Sequence, residues 1–360
     1  MAAPANQCFV HGAALNIGWK DARLSLSDLI FKTVSAALED GGLTIGEIDS
    51  VVLAAHDVVD GRSLSSMVTA PAAGAYLKDE IRLAEDGLAA VSLASAQIEA
   101  DEARYSIVAA WGRASEGDYA RTSRAALDPF LLQPFALDEF SLSALRLSEW
   151  IASHGESADA RRRAAAARLA RAERNSRSVR ESVRPRMEFP LYAHEAPRFA
   201  DIAAAVILGS DKSRARITGV GHSAESGELG SRRLRGMRAL REAASRALAA
   251  GGASIAEMSV LQLPGPSLAD EALALEALGL AAAGEAFDVY ARLTSVNPSG
   301  GSESGWCFPT TGLVNFVEAY LQLVGRAGGA QLAHEPRRAL AVGVSPGGAQ
   351  AAHAVVLEAA

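Results

Sequence analysis

The stretch Ala37–Leu53, ALEDGGLTIGEIDSVVL, returns in related form at Ala247–Leu263, ALAAGGASIAEMSVLQL. The alanine, the leucine, both glycines, the isoleucine and the glutamate coincide at an offset of 210 residues. Each copy has the pattern of a helix end, a Gly-Gly stop, a short turn and a buried strand. An internal repeat of this kind predicts a fold built from two similar units.

A second pair of segments supports the duplication. Gly87 opens an apolar helix in the first copy and Gly312 opens one in the second, and a strand follows each helix. Repeated strand, helix and strand units predict two α/β layers related by a pseudo-dyad. We therefore predict an α/β fold of two duplicated halves, residues 1–211 and residues 212–360.

Composition is typical of an ordinary globular chain. Of the 360 residues, 49% are apolar and 21% are charged, which is enough to form a full core. The N-terminus carries no secretory signal pattern and no run of about 18 or more apolar residues occurs, so we expect a cytoplasmic protein that does not enter the membrane. The net charge of −7 argues against nucleic acid as a partner. Cys8 and Cys307 lack zinc-ligand spacing, so we expect no metal site.

A polar excursion from about residue 115 to residue 197 lies between the two copies and neither copy needs it. Long insertions of this kind often carry a binding surface. Ten arginines stand between Arg161 and Arg186, against only Glu173 and Glu181. Two interpretations remain open: a surface that faces phosphates, or a solvated or interface helix that pairs with acidic neighbours.

Three motifs carry a resemblance to a known family. They are the run VNPSGG at Val296–Gly301, the helix TTGLVNFVEAYLQL at Thr310–Leu323, and the segment Asp60–Ile98 with its GAYLKDE run. Together they resemble thiolases of the sterol-carrier-protein type. The resemblance implies a five-layer α/β/α/β/α thiolase fold and a dimer. It also implies a coenzyme A thioester as substrate or ligand, with no tightly bound cofactor.

The departures from this family concern its catalytic groups. A thiolase uses a nucleophilic cysteine at the start of the first active-site helix, and the matching residue here is Ala84. The family's catalytic histidine falls on Trp306 or Cys307, depending on the alignment, and its second cysteine falls on Ser345. We therefore expect no acyl transfer through a cysteine thioester.

The candidate catalytic residues are Asp86, Glu85 and Cys307. Either carboxylate is a base for carbon–carbon cleavage, or both are acidic residues favoured in a first helical turn. Cys307 is either a relocated nucleophile or a buried inert thiol. Trp306 either forms the floor of an acyl pocket or fills the space of the missing histidine.

The remaining candidates are residues expected to contact the substrate. The helix N-termini at Gly87 and Gly312 and the turn Ser299–Gly301 are expected to donate hydrogen bonds to a thioester oxygen. His56 and His222 lie at strand ends, where α/β folds bind ligands. The expected substrate-binding residues are Ala84, Gly87, Ser299, Gly300, Gly301, Trp306, Gly312, His56 and His222.

Two functions follow from the resemblance. The first is an enzyme subunit of thiolase or aldolase type that makes or breaks a carbon–carbon bond beside a CoA thioester. Family members without the cysteine include subunits that cleave β-hydroxyacyl-CoA by retro-aldol chemistry with a small OB-fold acyl-CoA-binding protein. The second is an inactive subunit that scaffolds an intact thiolase paralogue or such an OB-fold partner. Both imply a homodimer or a heterodimer.

Overall fold

A computed structural model of the chain describes residues 6–21, 23–61 and 66–360. Residues 62–65 of the segment Asp60–Ile98 therefore lie outside the described residues. Across the described ranges, the helices are all too short or too polar to cross a bilayer.

The strands of the described chain form a nine-stranded sheet. They are β1 Cys8–Gly18, β2 Ser50–Ala54, β3 Asp79–Leu83, β4 Tyr105–Arg113, β5 Asp201–Gly209, β6 Ala215–Ala224, β7 Val260–Gln262, β8 Arg338–Val344 and β9 Ala351–Ala359. Their order across the sheet is β3-β2-β4-β5-β1-β6-β9-β8-β7. The pairs β2–β3, β2–β4 and β7–β8 are parallel, and the other pairs are antiparallel.

The helices alternate with these strands along the chain. They are α1 Leu26–Gly41, α2 Asp57–Asp60, α3 Ser66–Ala72, α4 Gly87–Glu99, α5 Tyr119–Ala126, α6 Glu139–His154, α7 Ala158–Arg174, α8 Arg238–Ala250, α9 Leu268–Ala277, α10 Ala286–Arg292, α11 Thr311–Leu323 and α12 Pro346–Ala349. Helices α5, α6 and α7 lie in the insertion between β4 and β5.

The second half of the sheet repeats the strand order of the first. The order in the first half is β3-β2-β4-β5-β1. In the second half Val296 takes the place of β3, because it bridges Leu261 of β7 in parallel, and β7-β8-β9-β6 follow in the corresponding order. Strand β5 ends at Gly209 and β6 begins at Ala215, on either side of the predicted boundary. The duplicated α/β topology is thus visible in the sheet itself.

The repeated segments also make equivalent contacts. β1 and β6 each carry a register shift beside a glycine, Gly12 in β1 and Gly219 in β6. A Cβ at Gly12 would overlap the carbonyl oxygen of Ala37, and a Cβ at Gly219 would overlap that of Ala247. Ala37 and Ala247 are the first residues of the two repeat copies, so a helix packs on a strand in the same way in both copies.

Three apolar clusters separate the layers. The first lies between α1 and α3 and the first half of the sheet, and the third lies between α8 and α9 and the second half. The central cluster joins α4 and α11 with strands of both halves. Successive strand residues face opposite sides, so Val51 belongs to the first cluster and Val52 to the central one. This arrangement is the predicted five-layer α/β/α/β/α fold.

The two central helices meet at their N-termini. A Cβ at Gly87 would lie 2.6 Å from the Cβ of Leu313, and one at Gly312 would lie 2.8 Å from the Cβ of Leu88. Glycine at both positions therefore permits an approach that larger residues would prevent. The candidate site is built around this contact.

Candidate functional site

Residues from the two halves meet where the parallel strands end. His56 follows β2, Ala84 and Glu85 follow β3, and Ser345 follows β8. The Oγ of Ser345 donates a hydrogen bond to Oε2 of Glu85, which links the halves directly. Ala84 is exposed, Glu85 is half-buried and Ser345 is buried. The carboxyl ends of parallel strands are where α/β proteins commonly bind ligands.

Asp86 joins the N-termini of both central helices. It is the N-cap of α4, where its Oδ1 accepts the N–H of Leu88 at 3.0 Å. Its Oδ2 accepts the N–H of Gly312 at 2.9 Å. Complete burial raises the pKa of Asp86 to about 7, although hydrogen bonds from these two amides favour the charged form. Both oxygens are occupied and shielded from solvent, so this candidate base acts in the structure as a shared helix cap.

Space for the Asp86 carboxylate is provided by two glycines. A Cβ at Gly312 or at Gly343 would overlap Oδ1 of Asp86. Gly312 lies in α11 and Gly343 lies in β8, so the carboxylate is enclosed by elements of the second half.

The expected backbone donors are already bonded. The N–H of Gly87 donates to the carbonyl of Pro309 at 2.8 Å, and that of Gly312 donates to Asp86. Each amide has a single proton to donate, so as placed these two groups cannot also bind a thioester oxygen. The two amides therefore donate to groups of the protein itself, where we had expected them to donate to a thioester oxygen.

The turn Ser299–Gly301 is likewise bonded within the protein. The N–H of Gly300 donates to the carbonyl of Asn297 at 2.8 Å, and Oγ of Ser299 donates to Gln262 at 3.2 Å. A Cβ at Gly301 would lie 2.5 Å from an oxygen of Glu271. Ser299 is 4% exposed, so the turn forms part of the buried core instead of a surface that presents donors.

The arginines of α7 explain why this turn is buried. Arg161, Arg168 and Arg171 are 0%, 0% and 3% exposed. Arg171 donates to the carbonyls of Val296 and Tyr290 at 3.0 and 2.8 Å. These three side chains do not face phosphates or solvent, because internal acceptors bind their guanidinium groups. Arg161 and Arg168 do pair with acidic neighbours, as the second interpretation expected.

Arg168 shows the same arrangement with charged partners. Its guanidinium donates to Oγ of Ser302 at 2.9 Å and lies 3.7 Å from Glu271 and 3.6 Å from Glu303. Both carboxylates are buried, at 0% and 3% exposure. The arginine therefore compensates two internal charges and is not available to a CoA phosphate.

Cys307 is a buried thiol. It has no exposed surface, and a Cβ at Gly112 would lie 2.5 Å from its Sγ. Burial raises the pKa of the Cys307 thiol well above its usual range, and the charges of Asp201 and Asp60 raise it further. A thiol that does not ionise is a poor nucleophile, so the geometry favours the inert alternative.

Trp306 belongs to an aromatic cluster. Its ring lies 5.1 Å from that of Tyr119, 5.7 Å from that of Phe140 and 6.1 Å from that of Phe199. Trp306 itself is 5% exposed. It therefore fills space behind these rings, and Tyr119, Phe140 and Phe199 form the surface in front.

The two candidate histidines lie in different surroundings. His56 is half-buried, its ring lies 6.2 Å from Phe308, and its Nδ1 has no hydrogen-bond partner within the described ranges. Burial lowers the pKa of His56, while the nearby charges of Asp57, Asp60 and Glu85 oppose this effect. His222 is exposed on β6 opposite His353 of β9, with ring centroids 4.6 Å apart. Only His56 is brought towards Glu85.

Two adjoining cavities open on the inserted segment. The larger has a volume of about 510 Å³ and combines aromatic side chains with three basic residues and three acidic ones, Asp118, Asp138 and Glu188. Its aromatic and basic lining residues are Trp19, Tyr119, Phe140, Phe199, Lys20, Arg124 and Arg186. In the part of the chain that the structure describes, no three His, Cys, Asp or Glu side chains converge on a point that suits a metal ion.

The sequence did not reveal one further carboxylate near the site. Glu139, the first residue of α6, accepts hydrogen bonds from the N–H groups of Gly347 and Gly348. Burial raises the pKa of Glu139 to about 7, against the effect of those amides and of Arg146. No local sequence pattern indicates that the first residue of α6 accepts hydrogen bonds from a glycine turn about 200 residues later. Only the adjacent glycines indicated an unusual backbone.

Comparisons with known proteins agree with this geometry. The family model described as "Thiolase C-terminal domain-like" matches residues 221–359. A search of curated proteins found no match. Among solved structures, the Ltp2-ChsH2(DUF35) aldolase superposes with a TM-score of 0.78 at 16% identity, over 99% of each chain. Human mitochondrial 3-ketoacyl-CoA thiolase superposes with a TM-score of 0.73 at 17% identity, over 99% of this chain and 100% of the other.

Taken with the five layers and the paired central helices, these matches identify the architecture. The chain has the thiolase fold over essentially its whole length, and its residues 221–359 match the family model of the thiolase C-terminal domain-like family.

Proposed function

We propose that the chain is an enzyme subunit of thiolase or aldolase type, in which Glu85 is the base for making or breaking a carbon–carbon bond beside a CoA thioester. The observation that carries this proposal is the hydrogen bond from Ser345 to Glu85, next to the exposed Ala84. It places a solvent-accessible carboxylate, held by a neutral donor, where the two halves of a thiolase fold meet.

The proposed reaction proceeds without a covalent acyl-enzyme intermediate. The methyl group of Ala84 cannot accept an acyl group. Cys8 and Cys307 are both buried, and burial raises the pKa of each thiol. We therefore assign the role of base to a carboxylate, that of Glu85.

The proposed cleavage direction uses the substrate's own electrons. Glu85 removes the proton of the β-hydroxyl group, and the electron pair of that O–H bond forms the carbonyl at Cβ. The Cα–Cβ bond breaks, and its electron pair forms an enolate of the thioester. A proton added at Cα then gives the shortened thioester and a separate aldehyde or ketone. Formation of the bond follows the same steps in reverse.

Similarity to known proteins supports the aldolase direction. The solved structure with a TM-score of 0.78 is described as an aldolase and as a complex of two components. A cavity of about 510 Å³, lined by aromatic side chains and by basic and acidic ones in equal number, provides space of a suitable size for an acyl group. A small acyl-CoA-binding partner with an OB fold belongs to this proposal.

A dimer is also part of the proposal. β3 lies at the edge of the sheet, where its backbone groups have a free side. Near it, Met67, Tyr76 and Leu77 are 74%, 77% and 88% exposed. Exposed apolar side chains beside a sheet edge favour association with a second subunit, either the same chain or a thiolase paralogue.

The test is cleavage of a panel of 3-hydroxyacyl-CoA thioesters, followed by detection of the released aldehyde or ketone. We expect activity from the protein purified with its native partners, and a fall of about 10²-fold or more in Glu85→Gln, as is usual for loss of a general base. Glu80→Gln changes an exposed glutamate on β3 and serves as the matched control. Equal activity in Glu85→Gln and the unmodified protein would overturn the assignment of the base.

One observation favours a second candidate, an inactive scaffold subunit. The amides at the N-termini of α4 and α11 are already satisfied by Asp86 and Pro309. Purification from the native host followed by mass spectrometry separates the two candidates. An intact thiolase as the main partner, together with no cleavage of any thioester in the panel, would establish the scaffold role.

A further inference from the structure

The turn that links β8 to β9 is held by side chains from outside it. The N–H of Gly347 donates to Oε1 of Glu139 at 2.5 Å, and the N–H of Gly348 donates to Oε2 at 3.4 Å. The carbonyl of Gly348 accepts from Arg146 at 2.5 Å, and the carbonyl of Gly347 accepts from Arg232. All four backbone polar groups of the two glycines are therefore bonded to charged side chains.

The glycines are required by the backbone conformation. Gly347 has φ of 88° and Gly348 has φ of 67°, in the left-handed region that other residues avoid. Successive amides in such a turn point towards one place and form a concave site for an anion. Here the anion is an internal carboxylate, that of Glu139.

Burial makes these bonds strong and directional. Glu139 is 9% exposed, Arg146 is 2% exposed and Asp270, which also binds Arg146, is 1% exposed. Hydrogen bonds to charged groups are stronger than neutral ones, and a low local dielectric strengthens them further. Glu139 is itself fixed at the start of α6, where Asp138 caps the helix.

The turn follows directly from the candidate site. Ser345 lies two positions before Gly347, and its N–H donates to the carbonyl of Ala351 at 3.0 Å. Its hydroxyl group donates to Glu85. We propose that Glu139 is a positioning residue, which holds the Ser345 hydroxyl against the Glu85 carboxylate by fixing the amides of Gly347 and Gly348. The consequence for catalysis rests on the function proposed above for Glu85, whereas the positioning itself does not.

Proton binding by Glu139 should weaken this arrangement. The groups that act on it are Arg146 of its own helix, Asp270 of α9, Arg232 before α8, Tyr119 of α5 and the two glycine amides. The pKa of Glu139 is raised to about 7, chiefly by burial. As the pH falls below about 7 the carboxylate becomes neutral and its hydrogen bonds from the glycine amides weaken.

A reporter at position 345 tests the proposal without a substrate. Ser345→Cys introduces a thiol whose alkylation by iodoacetamide is followed by mass spectrometry, while Cys8 and Cys307 are buried. Adding Glu139→Gln should raise the rate about tenfold, a change of the size expected for losing a hydrogen bond to a charged group. Adding Glu149→Gln, a partly exposed glutamate of the same helix, should leave the rate unchanged.

Hydrogen exchange of the peptide that contains Gly347 and Gly348 supplies a second measurement. We expect about tenfold faster exchange in Glu139→Gln, after correction for intrinsic rates. Arg232→Gln releases only one carbonyl, so it should give a smaller change in the same direction, and it remains useful if Glu139→Gln does not fold. Unchanged alkylation and exchange in the folded variants would overturn the proposal.

The activity assay then links the turn to catalysis. If Glu85 is the base, Glu139→Gln should lower kcat while leaving KM within about twofold, because positioning affects the reaction step more than uniform binding. Faster alkylation with no activity in any variant would overturn the function of Glu85 and leave the positioning role intact. Loss of activity with unchanged alkylation would overturn the positioning role alone.

Discussion

The Oδ2 atom of Asp86 accepts the backbone N–H of Gly312 at 2.9 Å, so a single carboxylate caps α4 and contacts the start of α11. The N-terminus of a helix favours negative charge, and here two helices share one such group. Asp86 is thus a structural contact between the two halves of the sheet.

Removing this carboxylate should destabilise the fold. We expect Asp86→Ala to lower the free energy of unfolding by about 2–4 kcal/mol, because the N–H groups of Leu88 and Gly312 would be buried without acceptors. Asp118, the exposed N-cap of α5, is the matched control, and Asp118→Ala should cost about 1 kcal/mol. Urea unfolding measures both. Equal losses for the two variants would contradict the role of Asp86.

The glycine that makes room for Asp86 gives a coupled prediction. Gly343→Ala would force a Cβ into Oδ1 of Asp86 and should cost about 1–3 kcal/mol in the free energy of unfolding. In an Asp86→Ala background the same change should cost measurably less, because the overlapping atom is gone. Gly236→Ala, at a glycine with open space around it, is the control. Additive losses in the double variant would show that the two residues do not touch.

The raised pKa of Asp86 predicts a pH effect on stability. This pKa is about 7 in the folded chain against an ordinary value of 3.8, so the folded state binds more protons between these values. The free energy of unfolding should therefore fall as pH rises from about 4 to 7, and this contribution should be constant above pH 7.

Asp86→Asn isolates that contribution, since the other titrating groups are common to both proteins. One unit of pKa shift corresponds to about 1.4 kcal/mol. The difference in unfolding free energy between pH 5 and pH 8 should therefore differ by more than about 1 kcal/mol between the unmodified chain and Asp86→Asn. Parallel pH curves for the two proteins would contradict the raised pKa.

Acetyl-CoA should leave no acetyl group on this protein's cysteines. The resemblance to thiolases aligns Ala84 with the family's nucleophile, and the Cys307 thiol is buried with its pKa raised by that burial. Intact-mass measurement after incubation tests this expectation. An acetyl adduct that disappears in Cys307→Ser would show instead that the thiol is reactive.

Buried arginines of α7 should matter more for stability than exposed ones. Arg168→Met leaves Glu271 without its buried cation, while Glu303 keeps Arg184 and Arg198, and should cost about 3–5 kcal/mol. Arg163 pairs with Asp288 at the surface, and Arg163→Met should change stability by less than about 1 kcal/mol. Thermal or urea unfolding compares the two, and equal effects would argue that the buried pairs are not required.

The duplicated fold could be predicted from the sequence because the two copies keep identical residues at matching positions. Ala37 and Ala247 sit at equal positions in the repeat, and each lies against a glycine of the neighbouring strand. Close packing of the helix on the strand requires small residues at both positions, so alanine and glycine occur at the same places in the two copies. The repeat by itself predicts two α/β layers, and the five-layer arrangement is implied by the resemblance to thiolases.

The candidate site could be predicted only in part. Short motifs align Ala84 with the nucleophile of the family, and Glu85 is a candidate because it follows Ala84 in the chain. The contact between Glu85 and Ser345 depends on how the two halves pack, which no local pattern encodes. The burial of Arg161, Arg168 and Arg171 could not be predicted for a similar reason, since the spacing of arginines describes a helix face but does not indicate that carboxylates and carbonyls cover it.

The position of β1 in the sheet also bears on how the chain is made. Its residue Phe9 pairs with Gly209 of β5 on one side and with Arg216 of β6 on the other. At synthesis rates of about 5–20 residues per second, β1 leaves the ribosome roughly 10–40 s before β5 and β6 and is without either neighbour for that time. Cys8 and Val10, which have no exposed surface in the finished fold, are uncovered for that time. The nascent first half therefore presents an unpaired apolar strand, the kind of segment that molecular chaperones protect until its partners emerge.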